Sequence, residues 1–428
     1  MLRRALTLAL TLAALSCGNA FEPQSSIQSL RILGVRNESP YTPPGETASL
    51  QILYYDGSKR AFDAQGNRKR TPQVLWLGGC FSPPGDLYFG CFPILAQLFS
   101  SLSAPGAPGA PPAPGAPNPL EFIGTGDTFK MKIPADIISR RPPEEIAALQ
   151  AEGNIPYGLS YVFYAVCGGT IRPVPQGQAT NGLPIGCFDP DTNERLGDDD
   201  FVIGYSPIYS YDTIRNKNPV VTGLEFEGAP SMNQPCTAGC GDKTRCGSQG
   251  FCIPVVPHCT KRKAADCPTF RIKPILRRED NIEKDEASPP IDGRIPDEVI
   301  WASFYASDGT LTNDTVLIND ANKGWVFDDS KGTEWSAPNA PAGESRVWVV
   351  VRDNRGGTAW TWQDLFVDLA LTQQRLDGGR GRVEAARGEG AQLRRGPGAE
   401  RLGDVLQHAA HGIHVVRKSR RRPRQPLR

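Results

Sequence analysis

The stretch SRVWVVVRDNRGGTAWTWQDLF, residues 345–366, decides the fold. Val347, Val349 and Val351 recur at every second position, a period that lines three branched side chains along one face of a strand. Asn354-Arg355-Gly356-Gly357 then reverses the chain, and Trp360 and Trp362 share a face on the way back. A reversal between two runs of β-branched and aromatic residues is a β-hairpin. With Val347, Val349 and Val351 facing a core, Trp348 points to the opposite side.

The same alternation recurs outward from this hairpin. TFRIKPILRR, EVIWASFYASDG and TVLIND precede it, and NPVVTGLEFEG opens the run. Further upstream stand SLRILGVRNE, TASLQILYYDG, TPQVLWLGGCF, GDTFKMKIPADII, YGLSYVFYAVC and DDFVIGYSPIYSYDTI, with Trp76 placed to fill a sandwich centre. Helical periodicity is scarce, and 45 Gly with 39 Pro supply the turns. The expected fold is therefore all-β, with two immunoglobulin-like (Ig-like) β-sandwich domains over 27–216 and 218–368. APGAPGAPPAPGAPNP, within a loop at 104–119, lacks too many amide donors for a central strand and reads as an extended spacer or a docking ligand for an aromatic groove.

The cysteines place the chain in a compartment. There are 11, and ten of them, at 80, 91, 167, 187, 236, 240, 246, 252, 259 and 267, fall into a group of four and a group of six. In the first domain the expected pairs are Cys80 with Cys91, which flank a Pro-Pro-Gly loop, and Cys167 with Cys187, whose strands meet at one end. Six cysteines within 236–267 cannot build a core and read as a disulfide-rich insertion, with fifteen pairings open. Zinc is the rival ligand, with His258 beside Cys259, but the spacing lacks paired C-x2-C knuckles.

The eleventh, Cys17, follows Arg3, Arg4 and a 12-residue apolar run from Ala5 to Ser16, too short to span a bilayer and of signal-peptide form. Ala14-Leu15-Ser16 before it resembles a bacterial lipobox, with Leu one place late. On this reading residues 1–16 are a lipoprotein signal, Cys17 carries lipid, and 17–26 form a tether; an ordinary signal cleaved elsewhere is the alternative. The final hairpin resembles that of Ig-like or polycystic-kidney-disease-type sandwiches of exported bacterial proteins, in which a V-x-V-x-D element precedes a Gly turn. Together with the lipobox, the chain to Asp368 resembles the Ig-like lipoproteins of high-GC, myxobacterial-type bacteria. That resemblance implies a location and a fold, and no activity.

Catalytic constellations are missing from the sequence. There is no G-x-S-x-G elbow, no H-E-x-x-H and no phosphate-cradling Gly loop, and His258 is the only histidine before the tail. The expectation is a non-enzymatic adhesion, scaffolding or binding protein, held by its lipid at the outer membrane or cell surface rather than the inner membrane. Its partner is an envelope protein or glycan, and nucleic acid is not expected. One alternative is a carbohydrate or peptidoglycan binder that stacks sugars on Trp348, Trp360 and Trp362, against the plainer reading that these rings fill a core. Another is an extracytoplasmic hydrolase. No cofactor is expected beyond a calcium candidate: Asp189, Asp191, Asn193 and Asp200 stand at positions one, three, five and twelve of a calcium-loop spacing. Glu194 occupies the place where the bend wants Gly.

Residues 369–428 differ from the rest. From 371 onward, 14 basic side chains face five acidic ones and no aromatic occurs. The segment reads as a disordered Arg-rich tail, of the kind a GC-rich gene yields when translated beyond its natural end or out of frame. His408, His411 and His414 step around a helix rather than along one face.

Overall fold

The structure, a computed structural model, describes residues 25–369 except 65, 104–118, 180–182, 228, 231–233, 262–263, 292, 329 and 338–339. Cys17, most of the expected tether, nearly all of the Pro-rich loop and the tail from 370 with His408, His411 and His414 lie outside the described residues.

The first sandwich runs through β1 (Leu30–Asn37), β2 (Thr47–Asp56), β3 (Gln73–Phe81), α1 (Phe92–Ser103), β4 (Ile123–Thr125), β5 (Thr128–Lys132), α2 (Pro143–Ala151), β6 (Gly158–Cys167), β7 (Thr170–Pro173), β8 (Ile185–Phe188) and β9 (Phe201–Ser210). Sheet β1-β2-β5 faces sheet β4-β3-β6-β9, and β7-β8 forms a separate hairpin. Alternate residues of β2 (Ala48, Leu50, Ile52) meet Trp76, Met131 and Val162 between the sheets. Trp76 is fully buried, stacks on Phe129 at 5.8 Å, and donates its indole N–H to the Gly126 carbonyl at 2.7 Å. Burying both ring and polar tip in this way is what makes a central tryptophan stable.

The four-stranded sheet is buried on its far face as well, which explains why β6 reads as an almost unbroken apolar run. Leu77, Leu159 and Phe163 point there into a second core closed by Leu95 of α1 and by Ile185 and Cys187 of β8. Disulfides Cys80–Cys91 and Cys167–Cys187, with Cα separations of 5.5 and 5.6 Å, fasten both covers to the sheet. Helix α1 departs from the sequence expectation: Leu95, Leu98, Phe99 and Leu102 do follow a helical spacing, but the run is short and set between a Pro-Pro-Gly loop and the Pro-rich stretch, and the Cys91 bond holds its start.

The second sandwich comprises β10 (Val221–Phe226), β11 (Ala229–Pro230), β12 (Thr244–Cys246), β13 (Cys252–Pro257), β14 (Phe270–Leu276), β15 (Ile300–Ala306), β16 (Thr310–Leu311), β17 (Thr315–Asp320), β18 (Gly324–Trp325), β19 (Thr333–Ser336), β20 (Gly343–Asp353) and β21 (Thr358–Asp368). Sheet β11-β10-β14-β19-β16 packs on sheet β12-β13-β21-β20-β15-β17-β18. Val347, Val349 and Val351 face the core with Phe304 and Trp335. The cysteine-rich segment lies between β10 and β14, which pair antiparallel. It is stapled as Cys236–Cys246, Cys240–Cys252 and Cys259–Cys267. Its strand β13 joins β21 in parallel, Val255 opposite Phe366, and so covers what would otherwise be an open sheet edge.

The two sandwiches are joined along a buried seam. A bulge between Ile32 and Gly34 turns Leu33 out of the first core, and Leu33 packs with Ile27, Tyr305, Trp348 and Val350. Gly34 sits where a Cβ would lie 3.3 Å from Val350 Cγ1 and 3.5 Å from the Trp360 ring, so the backbone of β1 rests directly on the final hairpin. Asn218 in the connecting segment donates to the carbonyls of Asn37 (2.8 Å) and Glu38 (3.0 Å) and accepts the Thr358 N–H at 2.9 Å. The end of the expected tether is also part of the fold. Ser25 is buried, its carbonyl accepts the Ala306 N–H at 2.8 Å, and the Ile27 N–H reaches the Ala306 carbonyl at 3.1 Å.

Candidate functional site

Above the seam the outer faces of β2 and β20-β21 diverge into a cleft of about 390 Å³ whose walls come from both sandwiches. The first contributes Tyr54, Tyr55, Arg68 and Asp127, the second Arg346, Trp348, Trp360 and Trp362. The register of the final hairpin builds the second wall: Trp348 stands opposite Trp362 and Arg346 opposite Asp364. On the first wall the Tyr54 hydroxyl donates to Asp127 Oδ1 at 3.1 Å. Burial, followed by the Asp127 charge, pushes that hydroxyl up to about 12, so it remains a neutral donor.

The three tryptophans do not form one open stacking face, which corrects the alternative in which all three stack sugars together. Trp348 is 2% exposed because the first sandwich covers it, with Tyr55 at 4.7 Å between ring centres. Trp360 is half-buried beneath the Arg36 guanidinium at 4.9 Å. Trp362 alone of the three is open, at 46% exposure. Arg346 lies 5.3 Å from its ring and is held by Asp364 at 2.5 and 2.9 Å in a two-pronged ion pair. One exposed indole beside an oriented guanidinium–carboxylate pair and a phenol can stack a flat or sugar-like ring and hydrogen-bond its edges. A second hollow of about 230 Å³ on the other side of Trp362 is lined by Gly247, Phe251 and Ile253 of the disulfide-stapled segment. Sequence reasoning had no means of finding Tyr54, Arg68 or Asp127, since only the docking of the two sandwiches brings them to the tryptophans.

The calcium candidate is built differently from a cation loop. Asp189 Oδ1 accepts the N–H groups of Asp191 (2.9 Å) and Thr192 (3.2 Å), and these bonds hold its carboxyl below the usual range. Its Oδ2 meets Arg60 at 3.1 Å, Asp191 meets Arg70 at 2.9 Å, Asn193 accepts from Arg172, and Asp200 lies 3.8 Å from Arg60. The positive charge that a cation would bring is already supplied by guanidinium groups from β7 and from the loop after β2, so the four side chains form an arginine clasp. Among the described residues, the side chains whose ligand atoms could meet on one ion are Cys236, Cys240 and Cys252, and all three sulfurs are engaged in disulfides.

One carboxyl is tuned into the range of acid–base chemistry. Glu298 is pushed up to about 7 by burial, with the charge of Asp353 adding to it. It is 2% exposed and its Oε2 accepts twice from the buried Arg355, which makes it a member of a buried ion cluster and not a lining of the cleft.

The chain matches no protein-family model and no curated protein. Among solved structures it is similar to the fibronectin(III)-like modules of Clostridium thermocellum CbhA, at 9% identity over 79% of this chain and 95% of that one, with a TM-score of 0.16. Dimeric latent PorU from Porphyromonas gingivalis matches at 9% identity over 80% of this chain and 24% of its own length, TM-score 0.16. Trypsin-activated alpha-2-macroglobulin from Escherichia coli matches at 7% over 82% and 17%, again with a TM-score of 0.16. Superpositions this loose carry no argument about function, and the fold described above rests on the strands, registers and cores themselves.

Proposed function

We propose that this chain is a non-catalytic binding module of the bacterial envelope, related to Ig-like lipoproteins and held to its membrane through lipid on Cys17. The observation that carries the binding reading is the cleft shared by the two sandwiches, with Trp362 open on one wall and the Tyr54–Asp127 pair on the other. The buried seam beneath keeps those walls at a fixed spacing, so a ligand meets a preformed surface. Five disulfides suit a chain that works in an oxidising compartment. Among the described residues no helix is long and apolar enough to cross a membrane.

The role in this reading is adhesion or scaffolding, with the cleft gripping an envelope component. A narrower version, in which that component is a saccharide, is favoured by the open Trp362 ring beside the paired Arg346 and Asp364. An array of envelope glycans, peptidoglycan fragments and surface peptides probed with the full chain tests both. Binding that disappears in Trp362→Ala supports the cleft, and restriction of that binding to sugars selects the saccharide version. Binding unaffected by Trp362→Ala and Tyr54→Ala together refutes the site.

A further inference from the structure

The loop that leads into α1 carries large apolar side chains into solvent. Leu87, Tyr88 and Phe89 are 46%, 39% and 54% exposed, and Ile94 on the first turn of the helix is 42% exposed. The rings are connected: Tyr88 meets Phe89 at 5.9 Å and Phe92 at 6.0 Å, and stacks on the exposed Tyr205 of β9 at 4.6 Å. The projection is firmly mounted. Cys80–Cys91 closes its base, and the Tyr157 and Tyr161 hydroxyls bond Asp86 at 2.6 and 2.7 Å.

Its charge pattern points to what covers it. From Leu87 to Leu120 the sequence contains 34 consecutive residues without Asp, Glu, Lys, Arg or His. The charges at the base are taken inward, because the buried Arg141 pairs with Asp86 and, at 3.2 Å, with Glu145. Protein partners are usually met by an apolar centre ringed with charged and polar groups. The described part of the projection, residues 87–98, presents Leu, Tyr, Phe and Ile with no charged side chain of its own, and rings with a polar tip settle at a lipid–water boundary with their hydroxyls at headgroup level. We propose that Leu87, Tyr88, Phe89 and Ile94 dock the first sandwich onto a lipid bilayer surface. This goes beyond the binding role above and depends neither on the cleft nor on lipid at Cys17.

The test must read the projection itself, since the apolar N-terminal run would also take the chain to membranes. Amide hydrogen exchange of the full chain is followed with and without neutral phosphatidylcholine vesicles, which give the basic tail no anionic surface to grip. Peptides covering 83–98 are expected to exchange about tenfold more slowly with vesicles, while those covering β14 are unchanged. Leu87→Ser with Phe89→Ser, both at solvent-exposed positions, should abolish that protection and leave the rest of the exchange map intact. If the chain sediments with vesicles while 83–98 exchanges as it does in solution, the proposal is wrong. It is equally wrong if the chain does not sediment with them, or if the protection appears without vesicles and grows with protein concentration, which would assign the surface to a second copy of the chain.

Discussion

Arg355, at the tip of the final hairpin, donates from Nε at 3.0 Å and from Nη2 at 2.8 Å to a single oxygen of Glu298, and both residues are almost wholly buried. The same guanidinium reaches Glu283 at 2.7 Å and the Lys284 carbonyl at 3.1 Å, while Asp353 lies in the same turn. Three carboxyls thus share one buried cation. Burial raises both Glu298 and Asp353, and for Glu298 the charges of Asp353 and Glu283 add to it.

A pH dependence follows. A carboxyl whose folded value exceeds its unfolded one binds more protons in the folded state, so its contribution is present below about 4.5 and is lost as pH rises toward about 7. Urea unfolding between pH 5 and 8 should show falling stability across that window, and Glu298→Gln should flatten the fall. A wild-type curve that rises with pH there would contradict this. Removing the cation instead, as Arg355→Met, leaves the carboxyls uncompensated and should cost about 3–5 kcal/mol at neutral pH.

Gly357 is the second sensitive position in that turn. A Cβ there would stand 2.0 Å from Asp353 Oδ2 and 2.9 Å from the Lys217 carbonyl. Asp353 Oδ1 accepts the N–H groups of Arg355 at 2.7 Å and Gly357 at 2.8 Å, so Gly357→Ala must displace the carboxyl that closes the turn. Denaturant unfolding should show a loss of about 2 kcal/mol or more. A loss below about 0.5 kcal/mol, the size of an ordinary surface change, would mean that the turn relaxes freely.

Gly34→Leu tests the seam. The added side chain would press on Val350, Thr358 and Trp360, and overpacking of this kind costs about 1–3 kcal/mol. Because the strain falls between the sandwiches and not within either, calorimetry should show one transition in the wild type and two in the variant. A single transition moved as a whole would place the strain inside β1.

The arginine clasp makes a prediction about calcium. A site occupied at ten times its dissociation constant would add about 1.4 kcal/mol. With Arg60 and Arg70 on the carboxylates, millimolar calcium should leave the thermal midpoint where it is. Arg60→Ser with Arg70→Ser exposes the acidic loop, and a calcium-dependent rise is expected only in that variant.

Legibility in the sequence followed the range of the interactions. Period-two alternation identified the two sheets around Trp76 and the inward face of Val347, Val349 and Val351, because burial on one side leaves a local imprint. Leu33 escaped that reading, since the bulge beside it reverses its direction and a bulge has no spacing of its own. Trp348 was legible as pointing away from the valine face, but its cover was not: what lies over it is Tyr55, nearly 300 positions earlier. The acidic loop misled for a similar reason, as its guanidinium partners come from elsewhere in the chain, Arg60 and Arg70 from the loop after β2 and Arg172 from β7.

The parallel pairing of β13 with β21 constrains the order in which the molecule can be assembled. Strand β21 is an inner member of the seven-stranded sheet, held between β20 on one side and the disulfide-stapled segment on the other. Its slot stays empty until the chain has been made through Asp368, leaving the core valines unsheltered. Every upstream part of that sandwich must therefore wait in an open state, a long-range closure of the slow kind.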